Sequence, residues 1–382
     1  MKPVRVGVVG LGNMGSFYAD RLAKGEVGRA SLSAVCDADA GRLARWGDVP
    51  RFDSCEAMLA ARAVDAVIVA TPHYSHTTIG IAALQAGLHV LVDKPISVHK
   101  ADALCLLAAH ADPRQVFAAM FNQRTDGYFL KIREWITRGE LGTIRRVNWI
   151  ITNWFRTAAY YASSPWRATW AGEGGGVLLN QCPHQLDLLC WLVGLPSAVR
   201  AHCYFGKYHD IEVEDEVTAY LEYDAGASGV FIAGTGEAPG TNRLEIAGEL
   251  GKVLLEGDRL SFTRNAVAMS DFSRTTKESF AAPPTETIEF SGLDRGRQHL
   301  GILDNFIAAI LDDAPLIAPA RDGLASVELA NAMLYSAFTG ERVRLPIDAA
   351  AYASALQKRI DDSSRNKTAA ASPPADISGS FR

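Results

Sequence analysis

A chain of 382 residues, of which 48% are hydrophobic and 21% are charged, is long enough for two folded domains with substantial cores. Its formal net charge of −5 excludes the basic surface that binding to nucleic acid or to an anionic membrane requires. No apolar run reaches the roughly 18 residues of a membrane span, and the first residues lack the apolar core of a signal peptide, so we expect a cytoplasmic protein without nucleic-acid or membrane partners.

The six cysteines are scattered along the chain and form no Cys-x-x-Cys pair. Most of them lie in apolar segments, which favours buried free thiols over disulfides or zinc ligands. We therefore expect no structural metal.

The first predicted element is a buried strand that leads directly into a glycine motif and a helix. The strand is the β-branched run Val4–Val9, the motif is Gly10-Leu11-Gly12-Asn13-Met14-Gly15, and the helix runs from Met14 to Lys24. This order is the context in which a G-x-G-x-x-G motif binds a dinucleotide. We expect Gly10 to make the tight turn, Gly12 to let a pyrophosphate approach the backbone, and Gly15 to let helix and strand pack closely.

A second apolar run, Leu32–Cys36, ends at Asp37, about twenty residues beyond the last glycine. An acidic side chain there accepts hydrogen bonds from the adenosine ribose hydroxyls. It disfavours the extra phosphate of NADP, and neither Ala38 nor Asp39 supplies a cation to offset it. The sequence therefore predicts NAD in preference to NADP. The alternative, ordinary turn glycines and a solvated strand end, leaves the order of these elements unexplained.

Strand and helix patterns alternate as far as residue 121. In chain order they are a strand over Val64–Ala70 that ends in Thr71-Pro72, a helix over His76–Ala86, a strand over His89–Val92, a helix over Ala101–His110 and a strand over Gln115–Phe121. Such alternation predicts an α/β fold with a doubly wound parallel sheet. Residues 1–122 are therefore predicted to form an NAD-binding Rossmann domain.

After a predicted helix over Tyr128–Arg138 the pattern changes to long β-rich segments, with period-two alternation clearest over Glu216–Tyr223. Residues 123–350 are predicted to form an α+β domain with a large mixed or antiparallel sheet, which binds substrate and, through its open face, a partner subunit in a homodimer or homotetramer. Two later helices are predicted over Leu300–Leu311 and Gly323–Phe338. Residues 351–382 are predicted to be an extension that is mobile from about Ser363.

Asp93-Lys94-Pro95 follows the predicted strand over His89–Val92, at the edge of the sheet where doubly wound folds bind their ligands. An ammonium group there can stabilise the negative charge that develops on a substrate oxygen during hydride transfer. Asp93 can pair with a cation or cap the next turn, and Pro95 fixes the backbone. The tripeptide alone is common on protein surfaces, and its place after a Rossmann strand is what indicates a function.

A third candidate group follows Gly174-Gly175-Gly176, on a predicted helix from Val177 to Val193. Asn180, His184 and Asp187 are four and three residues apart, so they can share one face of this helix. A histidine there has a pKa range suited to accepting a proton from an alcohol, and its neighbours can fix its tautomer. The spacing alone fits a buried core histidine at least as well.

Taken in order, these motifs resemble the Gfo/Idh/MocA family of sugar and cyclitol oxidoreductases over residues 4–346. The resemblance implies that Lys94 is the catalytic lysine and that His184 exchanges a proton with the substrate hydroxyl. The motifs that carry it are the glycine motif, Asp37, Thr71-Pro72 with His76, Asp93-Lys94-Pro95, the turn Arg138-Gly139-Glu140-Leu141-Gly142, and Gly174-Gly175-Gly176 followed by His184-Gln185-Leu186-Asp187. The cofactor contacts that we expect are Gly10, Leu11, Gly12, Asn13, Met14, Gly15, Asp37, Thr71, Pro72, His76, Asp93, Lys94 and Arg167.

Two positions depart from the family pattern. Asp93 stands where the family usually has glutamate before Lys-Pro, a shortening that we expect to be tolerated. Asn180 stands where inositol-type members carry an aspartate, four residues before the histidine. Because an amide can orient a hydroxyl but cannot hold a negative charge, we expect no acid relay through this position, and more of the chemistry falls on Lys94 and His184.

Substrate contacts are predicted in the segment that joins the two domains, where aromatic rings and arginines concentrate. Carbohydrates present apolar C–H faces and polar rims, which suit ring platforms beside guanidinium and amide donors. An interface between domains or subunits is the alternative role for each ring. The candidates are Trp154, Arg156, Tyr160, Trp166 and Asn180, together with Asn122 and Arg124 just after the last strand of the first domain.

The sequence thus predicts an NAD-dependent dehydrogenase that oxidises a secondary ring hydroxyl of a sugar, glycoside or cyclitol. The run Asn-Gln-Cys-Pro-His is similar to that of family members that oxidise carbon 3 of pyranosides. Two alternatives stay open. One is an NAD-dependent glycosidase of the same fold, which oxidises its substrate transiently, and the other is a non-catalytic NAD- and sugar-binding regulator, against which Lys94 and His184 argue.

Overall fold

The computed structural model describes residues 2–363, and its first part alternates strands and helices. The strands are β1 (Val4–Val9), β2 (Ala30–Cys36), β3 (Arg51–Phe52), β4 (Ala66–Val69), β5 (His89–Val92) and β6 (Phe117–Ala119). The helices are α1 (Asn13–Ala23), α2 (Ala40–Leu43), α3 (Cys55–Ala60), α4 (His73–Gln85) and α5 (Lys100–Ala108). The strands pair in parallel in the order β3-β2-β1-β4-β5-β6, which confirms the doubly wound sheet. The order reverses beside β1, and such folds bind ligands at that crevice.

The second part of the chain is built on a nine-stranded sheet. Its strands are β7 (Ile144–Ile151), β8 (Ala198–Phe205), β9 (Glu214–Glu222), β10 (Ser228–Gly234), β11 (Asn242–Gly248), β12 (Gly251–Glu256), β13 (Arg259–Asn265), β14 (Thr285–Ser291) and β15 (Val343–Arg344). They pair in the order β14-β13-β12-β11-β7-β10-β9-β8-β15, with β7 and β10 parallel and the other neighbours antiparallel. The predicted mixed sheet is therefore confirmed.

Seven helices accompany the second sheet within the described residues. They are α6 (Gly127–Thr137), α7 (Ala158–Ala162), α8 (Pro183–Val193), α9 (Met269–Thr275), α10 (His299–Asp312), α11 (Gly323–Thr339) and α12 (Ala349–Asp361), and short 3₁₀ turns cover Asn122–Thr125 and Ala320–Asp322. None of the helices in residues 2–363 is both long and apolar enough to cross a membrane.

One predicted helix begins later than expected. The run Val177–Val193 was predicted to be helical throughout, but α8 starts only at Pro183. Proline suits a first helical turn, because it has no N–H to donate, and it disrupts a helix interior for the same reason. The residues before it form turns instead, and Glu214 accepts hydrogen bonds from the N–H groups of Gly176 at 2.8 Å and Leu178 at 3.0 Å.

Each sheet has its own apolar core, but the C-terminal helices contribute to both. Ile302 and Phe306 of α10 pack into the core of the first sheet, as does Val327 near the start of α11. Leu329 and Met333, further along α11, belong to the core of the second sheet. The proposed division at residue 122 thus separates the strands of the two sheets and does not separate their cores.

A buried polar contact also joins the two parts. Nζ of Lys100, at the start of α5, lies 2.8 Å from a carboxylate oxygen of Glu328 in α11. The side chain of Asn331 accepts from the Lys100 N–H at 2.9 Å and donates to the carbonyl oxygen of Val98 at 3.1 Å. Because buried charged groups need such partners, these contacts hold α11 against the first sheet in one position.

The predicted C-terminal extension begins with a structured segment. Tyr352 and Leu356 of α12 are buried in the second core. The end that was predicted to be mobile lies, beyond Ser363, outside the described residues. On the open face of the second sheet, Tyr204 and Tyr220 are about half exposed. A homo-oligomer formed through this face stays a prediction.

Candidate functional site

The turn after β1 has the geometry of a dinucleotide-binding loop. Gly10 has a φ of +88°, and a Cβ on it would lie 2.7 Å from the carbonyl oxygen of Ala70. A Cβ on Gly15 would lie 1.7 Å from the carbonyl oxygen of Gly10, so only glycine lets α1 pass this close to the loop. At Gly12 an added Cβ would meet no described atom within 4 Å. The backbone before α1 is therefore open to a pyrophosphate, and the free N–H groups of the first turn favour one.

Asp37 follows β2. Its carboxylate accepts a hydrogen bond from the backbone of this loop, and it is also the group expected to bind the adenosine ribose. Its Oδ2 accepts from the N–H of Leu11 at 2.6 Å, and its Oδ1 accepts from the N–H of Asp39 at 2.8 Å. Nη1 of Arg42, in α2, lies 3.4 Å from Oδ2. The two residues after Asp37 did not reveal this cation, because Arg42 lies further along the chain and α2 brings it back to the strand end.

The residues after β4 join two loops of the first domain. Nε2 of His76 lies 2.7 Å from the carbonyl oxygen of Thr71, and Nδ1 lies 2.7 Å from that of Pro95. The ring is 1% exposed, and burial lowers its pKa. A neutral imidazole can donate to only one of these carbonyl oxygens, and a contact of His76 with the cofactor stays a prediction. Thr71 and Pro72 lie at the start of α4, at the binding edge of the sheet, and their cofactor contacts stay predictions.

Lys94 follows β5 at the same edge. Oδ1 of Asp93 accepts from the N–H of Lys94 at 2.8 Å, and Oδ2 accepts from the hydroxyl of Tyr18 at 3.1 Å. The aspartate therefore fixes the backbone from which the lysine side chain extends. Nζ of Lys94 donates to the carbonyl oxygen of Asn180 at 2.7 Å, so it crosses from the first sheet to the segment before α8. Burial lowers the pKa of Lys94, and the carboxylates of Asp93 and Glu173 oppose this shift.

His184 lies in the first turn of α8 and is 8% exposed. Its ring meets that of Phe121 edge to face, with 6.4 Å between the centroids. Burial, with a smaller contribution from the charge of Lys94, holds its pKa well below 6.5, so the imidazole is neutral at neutral pH. Nδ1 is buried and has no hydrogen-bond partner in residues 2–363. The ring therefore has the charge state of a proton acceptor.

Asp187 and Arg124 do not take their expected roles. The guanidinium of Arg124 donates to both carboxylate oxygens of Asp187, at 2.6 and 2.8 Å, and to Asp322 at 2.7 Å. Both side chains of the first pair are at most 2% exposed. This corrects two expectations: Arg124 has no face left for a substrate, and Asp187 bonds to the arginine and does not orient His184.

Asn180 lies in the turn before α8, so it does not share a helix face with His184. Its Nδ2 donates to a carboxylate oxygen of Glu173, which was not among the predicted site residues. Glu173 also accepts from the N–H of Ala168 at 2.6 Å and lies 3.5 Å from Nη1 of Arg167. The feature of the sequence that could have indicated Glu173 is its position, because it is the acidic residue directly before the glycine run.

The predicted aromatic and arginine residues come together beside Lys94. The guanidinium carbon of Arg156 lies 5.2 Å from the ring centroid of Trp154 and 5.0 Å from that of Tyr160. Arg167 lies 4.3 Å from the Tyr160 ring and 4.8 Å from that of Trp166, and it donates to the Tyr160 hydroxyl at 2.5 Å. All five side chains are partly exposed, so they form a wall that a ligand can contact.

Asn122 is tied to the start of α10. Its Nδ2 donates to Oε1 of Gln298 at 2.8 Å, and its buried Oδ1 has no partner among the described residues. An enclosed amide oxygen of this kind is costly unless a ligand or water supplies a donor. Its contact with a substrate stays a prediction.

Two family descriptions match consecutive parts of the chain. Residues 4–119 match an oxidoreductase family with an NAD-binding Rossmann fold, and residues 129–254 match the GFO/IDH/MocA C-terminal domain. The inositol 2-dehydrogenase of Leifsonia xyli subsp. xyli is 30% identical over 199 residues, which are 51% of this chain and 55% of that protein. The D-glucoside 3-dehydrogenase of Escherichia coli is 27% identical over 372 residues, which are 90% of this chain and 98% of that protein. The match thus spans only about half the length of the first of these relatives.

Solved structures share the whole arrangement. The WlbA dehydrogenase from Bordetella pertussis, in complex with NADH and UDP-GlcNAcA, has a TM-score of 0.76 and 27% identity, covering 91% of this chain and 100% of that one. Levoglucosan dehydrogenase, in complex with NADH and levoglucosan, has a TM-score of 0.74 and covers 90% of this chain and 100% of that one, but at 20% identity it shows the fold alone. Because the two family descriptions match residues 4–119 and 129–254 in order, the chain belongs to the GFO/IDH/MocA family of NAD-binding oxidoreductases.

Proposed function

We propose that this chain is an NAD-dependent dehydrogenase that oxidises a secondary ring hydroxyl of a sugar, glycoside or cyclitol. The observation that carries the proposal is that Lys94, at the dinucleotide edge of the first sheet, donates to the carbonyl oxygen of Asn180, four residues before His184. The charge of Lys94 reaches the imidazole, which burial keeps neutral. A cation to stabilise an alkoxide beside a neutral base to receive its proton is what oxidation of an alcohol needs.

The open backbone at Gly12 and the carboxylate of Asp37 fit NAD and would hold its pyrophosphate and adenosine ribose. When bound, NAD⁺ supplies the acceptor for the hydride that leaves the substrate carbon. The ammonium of Lys94 stabilises the negative charge on the reacting oxygen as the carbon–hydrogen bond breaks. The hydroxyl proton passes to Nε2 of His184, because Nδ1 is enclosed. The substrate carbon is left as a ketone, and the proton remains on the imidazole until it is released.

The wall of Trp154, Arg156, Tyr160, Trp166 and Arg167 supports a carbohydrate substrate. Aromatic rings pack against the C–H faces of a pyranose or inositol, and guanidinium groups donate to its hydroxyls. The name of the Escherichia coli relative supports carbon 3 of a pyranoside as the position of oxidation, and the name of the Leifsonia relative supports a cyclitol. The proposal also includes a cytoplasmic location, where NAD is available and the six unpaired cysteines stay reduced.

The proposal is tested by recording NADH formation from NAD⁺ with a panel of glycosides, free pyranoses, anhydro sugars and inositols. We expect net NADH with at least one of these compounds and a ketone product in the mass spectrum. Release of an aglycone without net NADH would instead indicate a glycosidase that oxidises transiently. Tight NAD and sugar binding without any turnover would refute the dehydrogenase and indicate a regulator. Lys94→Ala is the matched control for each assay.

A further inference from the structure

Glu173 is a buried carboxylate that the proposed reaction does not use. It is 1% exposed, and burial raises its pKa. Its two oxygens nevertheless face donors, namely the N–H of Ala168, the amide of Asn180 and the guanidinium of Arg167. A protonated carboxyl would bring an O–H against these donors, whereas a carboxylate accepts from all of them. The geometry therefore favours the charged form.

This carboxylate determines how the amide of Asn180 is turned. A carboxylate can only accept hydrogen bonds, so Asn180 must present its NH₂ group to Glu173. Its Oδ1 consequently points to the other side of the amide, where it can accept the hydrogen of a hydroxyl. The same residue holds Lys94, because its carbonyl oxygen accepts from Nζ at 2.7 Å. Asn180 therefore contacts Glu173 through its side chain and Lys94 through its backbone carbonyl oxygen.

The charge of Glu173 also reaches the lysine directly. Its carboxylate raises the pKa of Lys94, against the larger effect of burial, and only Asp93 contributes more in that direction. A carboxylate at position 180 would act on the lysine in the same sense, but this chain has an amide there. Arg156 adds a further positive charge close to Lys94, so a compensating negative charge is needed in the same place.

We propose that Glu173 is a positioning residue that supplies, from seven residues upstream, the negative charge that Asn180 cannot carry. It turns the amide of Asn180 so that Oδ1 accepts from the substrate hydroxyl, and it offsets the ammonium of Lys94. This inference rests on the proposed function, since the hydroxyl is that of the substrate to be oxidised. The negative charge beside Lys94 is thus supplied by Glu173, the residue directly before the glycine run.

Glu173 also has a structural contact, and the test must separate the loss of this contact from the loss of its charge beside Lys94. The N–H of Ala168 bonds to it at 2.6 Å, and Ala168 has a φ of +56°, a backbone conformation that is strained for a residue with a Cβ. Glu214 is a suitable control, because it is also fully buried and holds N–H groups of the same segment without contacting Asn180. Glu214→Gln should affect stability alone.

The decisive experiment moves the acid from one residue to the other. In Glu173→Gln, the backbone N–H of Ala168 needs the amide oxygen as its acceptor, so the new NH₂ group faces Asn180. Asn180 must then turn over and present a donor to the substrate. We expect kcat to fall by about tenfold to a hundredfold while the Kd for NAD stays within about threefold. Adding Asn180→Asp restores an acceptor and a negative charge beside the lysine, so the double variant should recover most of kcat. Asn180→Asp alone places two carboxylates in contact and should be slower than the double variant.

A second readout does not depend on turnover. The reactivity of the Lys94 amine toward an amine-acylating reagent at one fixed pH is measured by mass spectrometry on each variant without cofactor. Losing the carboxylate of Glu173 should increase this reactivity, because more of the amine is unprotonated, and the double variant should return it to the wild-type level. Glu214→Gln should leave it unchanged.

The outcomes separate this inference from the proposed function. If the double variant stays as slow as Glu173→Gln, although both fold and bind NAD normally, Glu173 is purely structural and the inference is wrong. If Glu173→Gln changes neither kcat nor the reactivity of Lys94, the inference is also wrong. If the wild type oxidises no compound in the panel, the proposed function fails, and the amine reactivity of Lys94 still decides whether Glu173 offsets its charge.

Discussion

Replacing Asp37 with alanine removes a carboxylate that is expected to bind the adenosine ribose and that also accepts hydrogen bonds from the backbone around it. Removing the hydrogen bonds from the ribose to a charged acceptor should cost about 1.5 to 3 kcal/mol, which raises the Kd for NAD by about ten- to 150-fold. The N–H groups of Leu11 and Asp39 lose their acceptor in the same variant. The N–H of Leu11 is buried, and an unsatisfied buried donor costs about 1 to 3 kcal/mol, so the free energy of unfolding should also fall.

Arg42 makes the same variant informative about NADP. Its guanidinium lies 3.4 Å from the Asp37 carboxylate, and removing that carboxylate leaves it able to pair with a 2′-phosphate. We expect Asp37→Ala to bind NADP more tightly than the wild type does, and the double variant with Arg42→Ala to lose this gain. Arg42→Ala alone should change NAD binding little, because its side chain is half exposed and its partner is already held by two backbone groups.

The assay is calorimetric titration of each variant with NAD and with NADP, with thermal unfolding recorded in parallel. The titration separates lost ribose contacts from lost stability, because only molecules that are folded contribute binding heat. Equal affinity of the wild type for NAD and NADP would contradict the assignment of Asp37. So would an unchanged NAD affinity in Asp37→Ala, which would mean that the carboxylate serves only the loop.

The remaining predictions concern the reacting groups and one buried ion pair. Lys94→Ala should lower kcat about a hundredfold or more in steady-state assays and leave the Kd for NAD within a few-fold; near-normal turnover would make the lysine structural. Because His184 must be neutral to accept a proton and its pKa is lowered, kcat/KM should rise with pH through a midpoint below 6.5, and His184→Ala should remove this limb with about 10² to 10⁴ of rate. An unchanged pH profile in that variant would refute the assignment. Asp187→Ala should cost roughly 3 to 5 kcal/mol in denaturant unfolding, because it leaves the guanidinium of Arg124 buried with its main partner missing; a change in KM with unchanged stability would contradict this structural role.

The first sheet could be predicted closely because its signals are local. A β-branched run, a glycine motif and a helix occur within 20 residues, and β1 and β5 have the bounds that their apolar runs predict. The position of Lys94 follows from the same logic, since the carboxyl ends of parallel strands meet at one edge. The order of motifs also sufficed to identify the family, which the matches to both parts of the chain confirm.

The parts that could not be predicted depend on contacts between distant segments. Arg124 and Asp187 belong to different elements, and no helical spacing relates them, so their ion pair was invisible in the sequence. The helix face predicted to be shared by Asn180 and His184 is wrong for a different reason, because a proline that suits a first turn was placed within a longer helix. Glu173 was missed because its significance lies in what its carboxylate contacts.

The apolar contribution of α10 to the first core has a consequence for how this family can be recombined. Ile302 and Phe306 fill space beneath the parallel sheet, although they follow its last strand by more than 180 residues. A fragment that ends after the last parallel strand would leave that space empty and expose the side chains around it, so it should be prone to aggregation. A chimaera that exchanges nucleotide halves between relatives must therefore take the α10 segment from the same parent as the sheet. The boundaries for such an exchange therefore follow the packing of the two cores, and not a single position after the last parallel strand.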